Sequence, residues 1–339
     1  MAVRLLLGDC RDVLKTLQSE SVHCCICSPP YWGLRSYLPA GHPDKAREIG
    51  SEPTVHEWVR TMVEVFREVR RVLRDDGTLW LNLGDSYSTG TSAGRQDSKT
   101  ANHGGWAVGS RAGGRRANVP ELKPKDLIGQ PWRVAFALQE DGWWLRQELI
   151  WAKRNPMPES VTDRFTKAHE QVFLLSKSER YWLDLAAVQE EASEGTHARQ
   201  GVGRRQGPPG NPAERPLRPK AAAGAEHGYA EGKSARMESV ANGAIVATRN
   251  PRSVRWLSSE PFRGAHFATY PPELIRPFVL AGCPPGGTIL DPFGGSGTTG
   301  LVADRHGRNA ILIDIDERNL PMARERIQGD APLFAEVAA

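Results

Sequence analysis

Two short stretches of the chain carry residue types that could do chemistry together. The first is Asp291-Pro292-Phe293-Gly294-Gly295-Ser296-Gly297-Thr298-Thr299-Gly300. Glycines let the backbone pass close to a ligand, and free amides at a helix start favour a negatively charged group. An acid, Asp314, follows roughly 20 residues on, where a carboxylate can take ribose hydroxyls. The second stretch is Ser28-Pro29-Pro30-Tyr31-Trp32. Proline has no N–H and a fixed φ, so two in a row build a rigid loop whose carbonyls look outward and can accept hydrogens from an amine. Tyr31 and Trp32 offer flat faces on which a base could stack. Such a loop suits an exocyclic amine whose lone pair is delocalised into a ring. Accepting its hydrogens favours a more pyramidal, more nucleophilic nitrogen.

Each stretch also admits a bland reading: a rigid turn with aromatics in the core, and a tight structural turn. Gly295, Gly297 and Gly300 satisfy GxGxxG, which admits a nicotinamide dinucleotide. A P-loop would need a lysine before a Ser or Thr near the loop's end, and this loop has none. A third reading is an S-adenosylmethionine loop, with Asp291 facing the methionine ammonium, the glycines passing under the ligand and Asp314 on the ribose. The acid at the strand end favours this reading, because a carboxylate beside a pyrophosphate would repel it. Position is a second argument. A dinucleotide fold normally opens with this loop, whereas here it lies late in the chain. One more strand can follow, so the rest of the sheet must come from the N-terminal half.

The elements that position these stretches follow from periodicity. Residues 3–8 form a short strand ending at Gly8-Asp9, residues 12–17 a short helix, and residues 22–27 a buried strand running straight into Ser28. Val55, Val59, Met62, Val63, Phe66, Val69 and Val72 recur at three- and four-residue steps, which predicts an amphipathic helix over 54–73. A strand over 78–83 comes next, then a helix near 131–138 and strands near 144–151 and 171–175. The pattern closes with a helix near 272–280, a strand over 288–291, a helix near 298–306, a strand over 310–314 and a final helix from about residue 318. Strand and helix alternate as in a parallel sheet, with the catalytic candidates at its carboxyl edge, where open α/β sheets bind ligands. The expected fold is α/β.

Composition narrows the classes. The net charge is +4, mildly basic and compatible with a nucleic-acid partner without demanding one. The five cysteines are Cys10, Cys24, Cys25, Cys27 and Cys283. An odd count with three in one apolar stretch argues against a disulfide framework and for a reducing compartment. Cys24 and Cys27 have CxxC spacing, but no second pair completes a zinc set, so no metal is expected. Methylation of cytosine C5 would need a Cys nucleophile, and there is no Pro-Cys dipeptide. Neither a leader segment nor a membrane-length apolar run is evident. A cytoplasmic, nucleoid-associated protein is the expectation.

Two stretches change character. Residues 86–120 are rich in Gly, Ser, Ala, Asn and Arg and read as a mobile loop. Residues 187–246 scatter basic side chains, Arg204 and Arg205 among them, through Gly, Pro and Ala. They read either as a disordered insertion or as a DNA-reading segment that orders on binding. Lys153-Arg154-Asn155, after a tryptophan-rich strand, could line a DNA cleft, with Trp32 beside it.

Taken together these residues resemble the amino-methylating DNA methyltransferases, specifically the circularly permuted group in which the catalytic motif precedes the cofactor loop. Ser28-Pro29-Pro30-Tyr31 looks like the catalytic motif, in the Ser form seen most often in N4-cytosine enzymes. Asp291 through Thr299 is similar to the cofactor motif. His266-Phe267-Ala268-Thr269-Tyr270-Pro271 resembles the segment that closes over the methionine end, and Asp9 and Asp314 resemble the adenine-side and ribose acids. Asn82-Leu83-Gly84-Asp85 suits the fifth-strand region. The resemblance implies a mostly parallel seven-stranded Rossmann-like sheet with helices on both faces. It implies S-adenosylmethionine as cofactor and double-stranded DNA as partner, with a restriction endonuclease as a possible companion. Transfer would be direct, to N4 of a flipped-out cytosine, or alternatively to N6 of adenine. Residues 1–186 would be the catalytic part, 187–248 a target-recognition insertion and 249–330 the cofactor part.

Overall fold

The computed structural model describes residues 2–88, 122–191, 248–259 and 270–330, and the backbone of Glu336–Ala338. Most of the expected 86–120 loop and 187–246 insertion, with Arg204 and Arg205, lies outside the described residues, as do His266, Ala268 and Thr269. Contacts group Met1–Ala187 with Arg252–Ala339 as one compact unit and Val188–Pro251 as another. In the small unit β6 (Glu190–Glu191) pairs antiparallel with β7 (Thr248–Arg249).

The large unit begins with β1 (Ala2–Leu7), α1 (Cys10–Thr16), β2 (Val22–Cys27), α2 (Val55–Val72) and β3 (Leu73–Leu83). It continues through α3 (Gln130–Glu140), β4 (Trp144–Lys153), β5 (His169–Ser176) and β8 (Val254–Leu257). The last elements are α4 (Pro272–Gly282), β9 (Thr288–Asp291), α5 (Thr298–Arg305), β10 (Asn309–Asp314), α6 (Asn319–Asp330) and β11 (Glu336–Ala338). The strands make one sheet in the order β11-β1-β10-β9-β2-β3-β5-β4-β8. From β11 to β3 every pair is parallel. β5 runs antiparallel to both neighbours, and β8 is parallel to β4.

Among the described residues the sheet has nine strands, not the seven expected. The two additions are the edge strands β8 and β11, of four and three residues, too short to announce themselves by alternation. Two strands rather than one therefore follow the Gly-rich loop.

Both faces of the sheet are covered. Cys25 and Cys27 of β2 pack into a core with α1, α2 and α3. Cys24 and Ile26 face the opposite way, into a core with α4, α5 and α6. This explains why β2 is apolar throughout, as a central parallel strand must be. All five cysteines are unpaired and buried. Burial pushes their thiols up, Cys10 to beyond the usual range and Cys283 to about 12. α2 shows how sequence makes a layer. Thr54 caps it by accepting from the Glu57 amide at 3.1 Å. Val55, Trp58, Met62, Val65, Phe66, Val69 and Val72 are its buried face. No described helix is long and apolar enough to cross a membrane.

The consequence for function is geometric. β1, β10, β9 and β2 are neighbours and parallel. Their carboxyl ends bring Gly8-Asp9, Asp314, Asp291 and Ser28 to one edge of the sheet.

Candidate active site

These four strand ends surround a cleft of about 950 Å³. Gly8, Asp9 and Cys10 line it from the β1–α1 junction, Ser28 and Pro30 from the end of β2, and Asp291 to Ser296 with Thr298 from the Gly-rich loop. Asp314, Ile315 and Asp316 follow from β10, and Tyr270 lies against them from the segment before α4. The remaining wall is Tyr37, Arg47, Glu48 and Ile49, a loop that carries no functional signal in its sequence. Glu48 organises it. This buried carboxylate accepts from the Leu38 amide at 2.9 Å, from Ser36 Oγ at 3.1 Å and from Lys45 Nζ at 2.6 Å. Burial alone would raise its pKa, but Lys45 and the amides hold it below the usual carboxylate range.

Asp291 is 2% exposed. Its Oδ1 accepts from the Phe293 amide at 3.0 Å, and its Oδ2 from Tyr270 Oη at 3.0 Å and Thr299 Oγ1 at 2.5 Å. Burial pushes the carboxyl up to about 6 even though these donors oppose it. A buried carboxylate without a cation is an incomplete arrangement, and an ammonium is the partner that would complete it. Asp314 Oδ2 accepts from the Gly295 amide at 2.7 Å, while Oδ1 accepts from the Asp316 amide at 2.8 Å. The ribose-acid candidate thus also braces the loop.

The glycines of the loop serve packing more than ligand approach. A Cβ on Gly294 would stand 2.9 Å from Leu312 Cβ, and one on Gly300 2.9 Å from Leu312 Cδ1. Gly297 caps α5 at φ +78°, and its Cβ would meet Ala323 Cβ at 2.8 Å. Arg326 of α6 ties the loop down, with Nη1 donating to Ser296 Oγ at 2.9 Å and Thr298 Oγ1 at 2.8 Å.

Asp9 lines the cleft with its carboxylate already engaged. It caps α1 through the Arg11 amide at 2.9 Å and pairs with the guanidinium of Arg11 at 2.5 Å and that of Arg47 at 3.2 Å. Burial opposes ionisation, yet Arg11 and then Arg47 hold the acid below its ordinary range.

The Ser28–Tyr31 loop departs from expectation in three ways. The Pro30 carbonyl is not free, because Trp58 Nε1 donates to it at 3.0 Å; Pro29 itself is buried. Trp32, expected at the DNA, is 4% exposed. Its indole N–H donates to the Glu52 carbonyl at 2.9 Å and its amide to Gln130 Oε1 at 3.1 Å, so it is a core residue with no free face for a base. Tyr31 rests against Gly84, where a Cβ would stand 2.6 Å from Cε2. Its hydroxyl donates to Glu170 Oε2 at 2.9 Å and lies 3.2 Å from Ser28 Oγ. Burial first, then the Glu170 charge, raises the phenol well above its usual range.

Glu170 was not anticipated. A carboxylate at the mouth of the apolar strand β5 was the available signal. Asn82 Nδ2 donates to it at 3.3 Å, and Lys153, one of the DNA-cleft candidates, pairs with its other oxygen. The other two candidates diverge. Arg154 is exposed, while Asn155 is occupied with the backbone of Ser259, at 2.7 and 3.0 Å. Asp85 anchors α3 by accepting from the Gly129 and Gln130 amides at 3.0 Å. Of the tryptophans, Trp143 and Trp151 are core residues and Trp144 is exposed.

Comparison with known proteins adds to this geometry. A family model described as DNA methylase matches residues 22–325. The Type II methyltransferase M.SmaI of Serratia marcescens is 40% identical over 96% of this chain and 90% of its own length. M.Cfr9I of Citrobacter freundii is 40% identical over 99% and 91%. Among solved structures, the PvuII DNA methyltransferase (cytosine-N4-specific) superposes with a TM-score of 0.58 at 16% identity, over 99% of this chain and 96% of that one. A DNA modification methylase of Thermus thermophilus, complexed with S-adenosyl-L-methionine, does so at 0.53 and 21%, over 99% and 100%. At such identities these two show the fold.

Proposed function

The chain belongs to the DNA methylase family of N6 and N4 methyltransferases, and we propose that within it the target is the exocyclic N4 of cytosine in duplex DNA. It is an S-adenosylmethionine-dependent DNA methyltransferase of Type II, which sets aside the nicotinamide reading of GxGxxG. The observation that carries the N4 reading is Ser28 in the cleft wall, in the same cleft as Asp291, at the head of a motif whose Ser form is commonest among N4-cytosine enzymes.

S-adenosylmethionine supplies an electrophilic methyl for direct transfer. The residues present fit it. Asp291 is a buried acid suited to the methionine ammonium, with Ala268, Thr269 and Tyr270 closing that end. Asp314 is suited to the ribose, and Asp9, Ile49, Phe293 and Ile315 form the adenine end. The rest of the Asp291–Thr299 loop, Pro292, Gly294, Gly295, Ser296, Gly297 and Thr298, shapes the floor. The base leaves the stack at a cost of a few kcal/mol and reaches Tyr31. Pro29 and Ser28 accept the amine hydrogens; with Pro30 spoken for by Trp58, the backbone acceptor narrows to Pro29. Positioning then supplies most of the rate enhancement. Arg154, Arg204 and Arg205 hold phosphates, with salt-dependent affinity, and residues 187–248 read the target site. The motif order along the chain is that of the permuted group, and a cognate restriction endonuclease is the proposed companion.

The test is nucleoside mass spectrometry of unmethylated amplified DNA incubated with the protein and S-adenosylmethionine. N4-methylcytosine is the expected product. N6-methyladenine keeps the family and reverses the base. Neither product, with the cofactor bound, overturns the reading.

A further inference from the structure

Hydrogen-bond direction at the motif is set from outside it. Glu170 pairs with Lys153 across the β4–β5 ladder, and Lys153 Nζ in turn sits 4.6 Å from the centroid of the Trp151 ring. The side chains of Lys153 and Glu170 are 23% and 16% exposed. A carboxylate held in an ion pair offers lone pairs and no hydrogen. Tyr31 has one hydroxyl hydrogen, and the 2.9 Å contact to Glu170 Oε2 takes it; the rival acceptor, Asn82 Oδ1, is 3.5 Å away and uncharged. Tyr31 therefore has nothing left to give to Ser28, 3.2 Å away. The hydrogen in that contact must come from Ser28, which leaves the Ser28 lone pairs facing the cleft.

We propose that Glu170 is a positioning residue that, through the Tyr31 hydroxyl, fixes Ser28 as a hydrogen acceptor towards the target amine. The assignment rests on the reading of Ser28–Tyr31 as the amine-facing motif. Without the carboxylate, Tyr31 can donate to Ser28 instead. The serine hydrogen then turns towards the amine, donor against donor, in the orientation that opposes transfer. A merely structural ion pair would have no reason to act through one phenol hydrogen.

The experiment measures methyl transfer from tritium-labelled S-adenosylmethionine to unmethylated PCR-amplified genomic DNA. The proteins are wild type, Ser28→Ala, Glu170→Gln, Tyr31→Phe and the Glu170→Gln/Tyr31→Phe double variant. Cofactor affinity and melting temperature are measured beside each rate. Glu170→Gln keeps the shape and removes the charge. It is expected to lower kcat by about 10- to 100-fold, with KM for DNA and cofactor affinity within about twofold of wild type. In the Tyr31→Phe background the same substitution should add less than about twofold, because the hydroxyl that carries the effect is gone. Wild-type rates in Glu170→Gln, fully additive losses in the double variant, or a loss confined to KM or to melting temperature each overturn the positioning role. If Ser28→Ala keeps full turnover, or wild type leaves the DNA amines unmethylated, the reading of the motif fails, and the proposal with it. A normal drop in Ser28→Ala alongside an unaffected Glu170→Gln overturns the proposal alone.

Discussion

Replacing Asp291 by asparagine should move stability and cofactor affinity in opposite directions. Unfolded, this carboxyl ionises near 3.8; in the fold, burial lifts it to about 6. The folded state therefore disfavours the charged form. Below pH 3.8 both states hold the proton and the group contributes nothing. Between there and about 6 the folded chain keeps the proton longer, so stability falls as pH rises. Above that window the penalty is complete, and two pKa units correspond to about 3 kcal/mol. The groups facing Asp291 are Thr299 and Tyr270, which donate to it, Asp314, whose charge also raises it, and the neutral thiols Cys25 and Cys27. Asparagine keeps the acceptor for the Phe293 amide, and the two hydroxyls can rotate to accept from its NH₂. The variant should therefore melt a few degrees above wild type at about pH 8. At about pH 5, where the wild-type group is largely protonated, the gain should shrink to about half. Calorimetric titration should show S-adenosylmethionine binding weakened by about 10- to 100-fold, the loss of one charged hydrogen-bond partner. A variant that melts below wild type by the same margin at both pH values, or that binds the cofactor undiminished, refutes the reasoning.

Four further outcomes follow from the same geometry. Gly297→Ala forces a side chain into φ +78° and against Ala323; it should cost about 1–3 kcal/mol by thermal melt. Arg326→Ala releases Ser296 and Thr298 and should weaken cofactor binding more than it lowers the melting temperature. Tyr31→Ala should retain cofactor and lose turnover; retained turnover with intact binding would sink its role at the base. The five buried thiols should be silent to an aromatic disulfide reagent in mild alkali until denaturant is added, and fast labelling of any one in the native protein contradicts its burial.

What the sequence disclosed was what is periodic or contiguous. β2 and β9 occupy the residues expected, Val22–Cys27 and Thr288–Asp291, because their apolar runs stop at a proline motif and a glycine motif. α2 was legible to within a residue at each end because its apolar stripe repeats over 18 residues. The cleft wall from Tyr37 to Ile49 was not legible, since it is folded around one carboxylate, Glu48, by contacts with no period. Trp32 misled for a similar reason. An aromatic beside the motif looks available, and only the Glu52 carbonyl and Gln130, brought by other segments, decide that it is not. Glu170 lies 139 residues from Tyr31, and nothing local to either announces the pair.

The position of β1 also has a consequence for synthesis. Among the described strands its sheet partners are β10 and β11, and Ala2 bonds to Asn309 across 307 residues. A strand translated so far ahead of its partners must wait for them. At roughly 5–20 residues per second that wait is on the order of 15–60 s. Throughout that interval the nascent chain carries an apolar strand with both edges bare, the kind of segment that seeks other strands. The cleft cannot form in that time either, because Asp291 and Asp314 arrive with the same late strands. The enzyme is thus born inactive and sticky, and becomes a methyltransferase in a single late closure that joins strands made at widely separated times.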